Sequence, residues 1–168
     1  MGCFSQPIIF MNKQHFIEHL KFALEAKLQE AKQAANSARA DATHEQSAAE
    51  TQYDSLSIES AYLAQGQSDR VDDAYSAIKA FDEIYSLNET ETITVGSLLC
   101  CENDDEQCFW YFIGPAEGGL KLVVKNTPIW VITPFSPLGQ LLLNKSLDEV
   151  FEWRINSELT EFVITKIL

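Results

Sequence analysis

Apolar residues recur every three or four positions through the first half of the chain. One series runs Phe16, Leu20, Leu24, Leu28, Ala31, Ala35, Ala38 and Ala42. A second runs Tyr53, Leu56, Leu63, Val71, Ala74, Ile78, Phe81 and Tyr85, with polar Ser60 and Gln67 filling two of its positions. Each series predicts a helix with one narrow apolar stripe. Two such stripes favour a pair of helices packed along a seam over a globular helical core.

The gap between the two series predicts a hairpin rather than one long helix. Large apolar residues are nearly absent from residues 41–57, and residues that cap helices collect there. Ser47 and Glu50, for example, have the spacing of a capping box. We therefore expect the turn between about Glu45 and Ser55.

The second half of the chain has the pattern of a sheet. After residue 88, β-branched and aromatic runs alternate with turn residues such as Gly114-Pro115 and Gly118-Gly119. These runs predict strands. Their ranges are 93–95, 97–101, 108–113, 120–125, 129–133, 149–155 and 161–167.

One short helix is predicted within this sheet. Ser136 suits the N-cap, and Pro137 suits the first helical position. Asn144 can take the left-handed conformation that ends a helix. The leucines between them give one apolar face, which predicts a helix lying on an antiparallel sheet. The whole chain is therefore predicted to be α+β.

Charge and motif content exclude several classes of function. The net charge is -13, with 12 Lys+Arg against 25 Asp+Glu. A protein that binds free duplex nucleic acid needs a basic face, and this sequence has no basic cluster. No nucleophile elbow, dinucleotide-binding glycine pattern or phosphate-binding loop is present, so a self-contained hydrolase or nucleotide enzyme has no support. Any role near nucleic acid should depend on a protein partner or a metal.

The residues around the predicted short helix carry a family resemblance. From Thr133 to Lys145 they read Thr-Pro-Phe-Ser-Pro-Leu-Gly-Gln-Leu-Leu-Leu-Asn-Lys. This stretch resembles Ser-Pro-Leu-(Gly/Ala)-x-Ala-Leu-x-Gly-Lys in the FKBP-like C-terminal domain of the GreA/GreB family of bacterial transcript cleavage factors. Phe112-Ile113-Gly114-Pro115 is similar to that family's Val-Gly-Pro strand end. The resemblance extends from about Phe16 to Leu168.

The resemblance implies a domain plan. It comprises an N-terminal antiparallel α-helical coiled-coil hairpin and a C-terminal FKBP-like antiparallel β domain with one short helix. We expect a disordered lead at residues 1–15, the hairpin at 16–87 and the β domain at 88–168. The protein is expected to be a monomer in the bacterial cytoplasm.

The resemblance also implies a function. A factor of this family binds RNA polymerase, inserts its acidic hairpin tip into the secondary channel, and modulates or stimulates cleavage of backtracked RNA. It is an accessory factor rather than an enzyme, and it has no cofactor of its own. Glu45, Glu50 and Asp54 are the tip carboxylates that this implies here, and Glu50 with Asp54 would share a Mg²⁺ with the polymerase. The candidates for docking on the polymerase are Phe135, Ser136, Pro137, Leu138 and Gly139.

Two other functions stay open from the sequence. The β domain could be an FKBP-like binding or chaperone module. The helices could form a coiled-coil interaction protein without cleavage-stimulating activity. The family's tip reads Asp-x-x-Glu-Asn-Ala-Glu-Tyr, and this chain keeps acidic residues followed by tyrosine at a different spacing. The tip carboxylates could then be an ordinary solvated surface.

Overall fold

The computed structural model describes residues 11–48, 55–85, 90–155 and 157–168. Two long helices come first, α1 (Lys13–Ala48) and α2 (Ser55–Ile84). They are followed by six strands and one short helix, α3 (Pro137–Leu142), which lies between the fourth and fifth strands. The strands are β1 (Leu98–Asn103), β2 (Cys108–Ile113), β3 (Lys121–Val124), β4 (Thr127–Ile132), β5 (Val150–Ile155) and β6 (Glu158–Ile167). This order confirms the predicted α+β class.

The chain divides into two compact units. The first contains the sheet together with the start of α1, up to Leu20, and the end of α2, from Ala80. The second is Lys21–Lys79, which holds the rest of both helices. No helix in the described part of the chain has the length and apolar character that crossing a membrane requires.

The six strands form a single sheet in the order β3-β4-β2-β1-β6-β5. Neighbouring strands are antiparallel except for β2 and β4, which run parallel. The predicted antiparallel β domain is therefore confirmed, and β2–β4 is its one parallel pair among the described strands. The chain leaves β2, forms β3 at the edge of the sheet, and returns as β4 between them. Lys125 and Asn126 both have positive φ, which suits the tight β3–β4 turn.

Each face of the sheet is covered within the first unit. On one face, the Phe16 and Phe81 rings lie 4.8 Å and 6.3 Å from the Phe112 ring, centroid to centroid. Gly114 makes this packing possible, because a Cβ there would come within 2.9 Å of the Phe81 ring. On the other face, Leu142 of α3 belongs to a buried apolar cluster with residues from the strands. Burial on both faces explains why β1 begins with four consecutive buried residues.

The strand predicted at residues 93–95 is wrong. Thr92 makes only an isolated bridge to Ser146. The Ile93 amide donates to the Lys145 carbonyl at 2.8 Å, and the Asn144 amide donates to the Ile93 carbonyl at 2.9 Å. The segment therefore pairs with the turn that follows α3 rather than with a strand, and its apolar character reflects the full burial of Ile93. Sequence periodicity cannot separate these two situations in so short a run.

Candidate functional site

The two long helices meet through small side chains in the unit Lys21–Lys79. The Arg39 Nη2 atom donates to the Ser68 hydroxyl at 2.9 Å, and that hydroxyl donates to the Ala64 carbonyl at 3.0 Å. The helices are antiparallel: residues 39–43 of α1 lie beside residues 61–68 of α2, while Phe16 near the start of α1 and Phe81 near the end of α2 both pack on Phe112. The buried apolar residues of this unit are Leu24, Leu28, Ala35, Ala38, Ala42, Ala74 and Ala77. Alanines allow close approach of the backbones.

The connected end of the helices is strongly acidic. Residues 40–69 contain no Lys or Arg, and their six acidic residues are Asp41, Glu45, Glu50, Asp54, Glu59 and Asp69. Like charges concentrated on one end of an element produce a local negative potential that attracts cations and basic surfaces. Such a potential repels phosphates.

The predicted tip carboxylates can be placed only in part. Glu45 lies near the end of α1, which stops at Ala48. Its side chain and the whole of Glu50 and Asp54 lie outside the described residues, so the tip and its Mg²⁺ ligands stay predictions. Within the described ranges, no group of three or more His, Cys, Asp or Glu could hold a metal ion.

A rigid turn precedes α3 and presents an aromatic side chain. The Ser136 amide and hydroxyl both donate to the Thr133 carbonyl, at 3.1 Å and 2.8 Å. The same hydroxyl accepts from the Gly139 amide at 3.1 Å, which confirms Ser136 as the N-cap. The Gln140 Nε2 atom donates to the Phe135 carbonyl at 3.2 Å. Phe135 is held by this network, yet 84% of it is exposed.

The other predicted docking residues differ in accessibility. Pro137 is exposed and Ser136 is half-buried. Leu138 packs against the apolar cluster under α3. Gly139 is buried, and a Cβ at this position would lie far inside contact distance of the Thr133 carbonyl oxygen. Gly139 is therefore needed for packing the turn, whereas Phe135 and Pro137 are available to a partner.

Two of the three cysteines in the sheet pack as apolar groups, and the third, Cys108, is exposed. Cys100 and Cys101 are buried, and both are free. Burial raises the pKa of each thiol to about 12. Both side chains are neutral at physiological pH and lack the thiolate that nucleophilic chemistry requires.

Several apolar residues are exposed, and they include Leu63, which the sequence placed in the apolar stripe of the second helix. On α2, Ile58, Tyr62 and Leu63 are 55%, 76% and 58% exposed. On β4, Trp130 is 41% exposed and lies under the Lys121 ammonium, 5.2 Å from the ring centroid. The exposure of Tyr62 was not predicted, because in the sequence an apolar residue beside a helical stripe cannot be distinguished from a residue within the stripe. The signal that could have found the α2 group is Gly66, the one glycine in the helical half.

Comparisons with known proteins give a limited result. No protein-family model matches the chain, and no curated protein does. A solved structure of the transcription factor Gfh1 is 17% identical, with a TM-score of 0.39 over 88% of this chain and 92% of that chain. Gfh1 of Thermus aquaticus is 18% identical, with a TM-score of 0.38 over 86% and 91%.

A third similar structure is the transcription elongation factor GreA/GreB from Nitrosomonas europaea. It is 14% identical, with a TM-score of 0.37 over 49% of this chain and 64% of that chain. The solved structures to which the chain is similar are thus transcription factors described as Gfh1 and GreA/GreB.

Proposed function

We propose that this chain is an accessory factor of RNA polymerase. Its acidic helical end enters the secondary channel, and its β domain docks on the polymerase surface. The observation that carries the proposal is the antiparallel pair of helices whose connected end holds six Asp or Glu and no Lys or Arg across residues 40–69. An acidic helical end of this kind suits a basic passage that leads to a metal-dependent active site.

The chain's own contribution to the chemistry is a set of carboxylate oxygens. Mg²⁺ prefers oxygen ligands and is held through one or two carboxylates together with waters. Glu50 and Asp54 would lend such ligands to an ion held mainly by the polymerase, and Glu45 would add negative charge beside them. In phosphodiester hydrolysis, a second metal stabilises the attacking and leaving oxygens. The factor is therefore an accessory to the polymerase, with no cofactor of its own, in the bacterial cytoplasm.

The β domain provides the second contact. Phe135 is largely exposed while its backbone is fixed by the Ser136 and Gln140 hydrogen bonds. Because the backbone at Phe135 is already fixed, binding through this ring costs little conformational entropy. Phe135 is therefore well suited to anchor an interface. Pro137 lies beside it on the same turn.

The test uses stalled transcription complexes of bacterial RNA polymerase. The chain should bind the core enzyme and shorten the backtracked RNA. The Glu50→Ala/Asp54→Ala variant should keep its binding and lose the shortening by at least about a hundredfold, as expected when ligands of a catalytic metal are removed.

A matched control removes the same charge elsewhere. Glu25→Ala/Glu30→Ala deletes two exposed carboxylates from α1, and it should leave both binding and shortening unchanged. Binding without any RNA shortening in the wild type would identify a factor that occupies the channel. Absence of binding to the polymerase would refute the proposal.

A further inference from the structure

Gly66 lies within α2, where neither packing nor backbone conformation requires a glycine. The φ angle of Gly66 is not positive. Among the described residues, the glycines with positive φ are Gly96 and Gly119. A Cβ added at Gly66 would meet nothing within 4 Å in the described part of the chain. Glycine in a helix interior costs about 1 kcal/mol relative to alanine. Folding of this chain alone therefore favours alanine at this position.

The neighbours of Gly66 are large apolar side chains that face away from the seam. Residues three or four apart on a helix are neighbours on its surface, so Tyr62 and Leu63 flank Gly66, and Ile58 continues from Tyr62. All three are more than half exposed, at 55% for Ile58, 76% for Tyr62 and 58% for Leu63. The side of α2 that carries Ser68 points to Arg39 of α1 instead. We call Ile58, Tyr62, Leu63 and Gly66 the Gly66 face.

A partner that packs closely against α2 would explain both the glycine at position 66 and the exposed apolar side chains around it. Missing side-chain bulk lets a neighbouring backbone or apolar group approach a helix closely, and exposed apolar clusters mark interaction sites. The charges around the face define the partner. Glu59, Asp69 and Asp73 are exposed around it, and Arg70, four residues after Gly66, is the one basic residue in the stretch 58–74. Phosphates would be repelled, so a protein surface with a basic rim fits better than nucleic acid.

We infer that the Gly66 face is a contact surface for RNA polymerase, which seats an apolar group against Gly66 between Tyr62 and Leu63. This inference rests on the proposed function for the identity of its partner. It adds a binding surface on α2 that is separate from the predicted tip carboxylates and from the Phe135 turn.

The experiment measures two properties of the full-length Gly66→Ala variant. Its melting temperature should rise by about 2–4 °C, because alanine is the better helix former. Its affinity for core RNA polymerase should fall about tenfold, because the added methyl group occupies space that the partner needs. A gain in stability together with a loss of binding separates a contact from a folding defect.

Controls come from the same helix. Ser76→Ala also improves helix propensity at an exposed position outside the Gly66 face, and it should leave the affinity unchanged. Tyr62→Ser should weaken binding, whereas Tyr75→Ser, at a tyrosine that is 63% exposed, should not.

Each outcome decides between the possibilities. Unchanged affinity of Gly66→Ala, with wild-type binding intact, overturns the inference and leaves the proposed function standing. Loss of affinity in Gly66→Ala with normal binding of Tyr62→Ser also overturns it, because the glycine would then act through helix flexibility. A wild type that does not bind polymerase overturns the inference and the proposed function together.

Discussion

Phe135 and Gly139 sit four residues apart in one motif and have opposite environments. Phe135 is 84% exposed, whereas Gly139 is buried against the Thr133 carbonyl. One short motif therefore contains both kinds of residue: Phe135 is available for binding, and Gly139 is required by the path of the backbone. The two kinds of residue can be separated by substitution.

We expect Gly139→Ala to destabilise the β domain by about 1–3 kcal/mol or more, because the new Cβ forces the turn and α3 apart. Phe135→Ser should change the free energy of unfolding by less than about 0.5 kcal/mol and weaken binding to the polymerase by at least about 1 kcal/mol. Urea denaturation and a binding titration measure the two effects. Equal stability of Gly139→Ala and wild type would contradict the packing described for this turn.

The sequence predicted the cap of α3 but not the role of each residue in it. Ser136 and Pro137 follow local rules that hold wherever a helix begins, so both positions were correct. The need for Gly139 comes from the Thr133 carbonyl, and this contact depends on the path of the chain between β4 and α3. The exposure of Phe135 likewise depends on what the rest of the domain leaves uncovered.

At the scale of elements, the seam between α1 and α2 contains one costly polar residue. The sequence placed Gln67 in the apolar stripe of α2, and its Oε1 atom is buried without a hydrogen-bond partner among the described residues. A buried polar atom left unsatisfied costs about 1–3 kcal/mol. The helix pair tolerates this free-energy cost at a seam that is packed mainly by alanines rather than by a large apolar core.

Gln67→Leu should therefore raise the free energy of unfolding by about 1 kcal/mol. The control is Gln65→Leu, because the Gln65 amide is exposed and donates to Asp69 at 2.8 Å. This control should change stability by less than about 0.5 kcal/mol. Urea denaturation monitored by helical circular dichroism gives both values, and a destabilised Gln67→Leu would mean that the amide is satisfied in solution.

Elements were predictable where an apolar repeat continues over many residues, as in the two helices. The pairing of strands that are far apart in the sequence was less predictable. The two helices and the strands at 97–101 and 108–113 were predicted from spacing and turn residues, and the structure has them as α1, α2, β1 and β2. The parallel pairing of β2 with β4 was not, because β4 pairs with both β3 and β2 and strand patterns do not specify neighbours. The segment around Ile93 was misassigned for another reason, because its apolar run is too short for periodicity to distinguish a strand from another buried segment.

At the scale of the molecule, the three proposed binding features are divided between the two compact units. The unit Lys21–Lys79 includes the Gly66 face and all of the acidic residues 40–69. The unit with the sheet carries the Phe135 turn. The sequence resemblance suggested both the acidic end and the turn, while the Gly66 face required knowledge of what surrounds each side chain.

The central claim is that the connected end of the helices reaches the catalytic metal of RNA polymerase. A photoreactive amino acid at position 50 tests this directly in a complex with the core enzyme. We expect cross-links to the polymerase segment that holds the active-site Mg²⁺, and none to that segment from the same probe at Lys125 in the β3–β4 turn. A complex that forms normally but gives no position-50 cross-link to that segment would contradict the account.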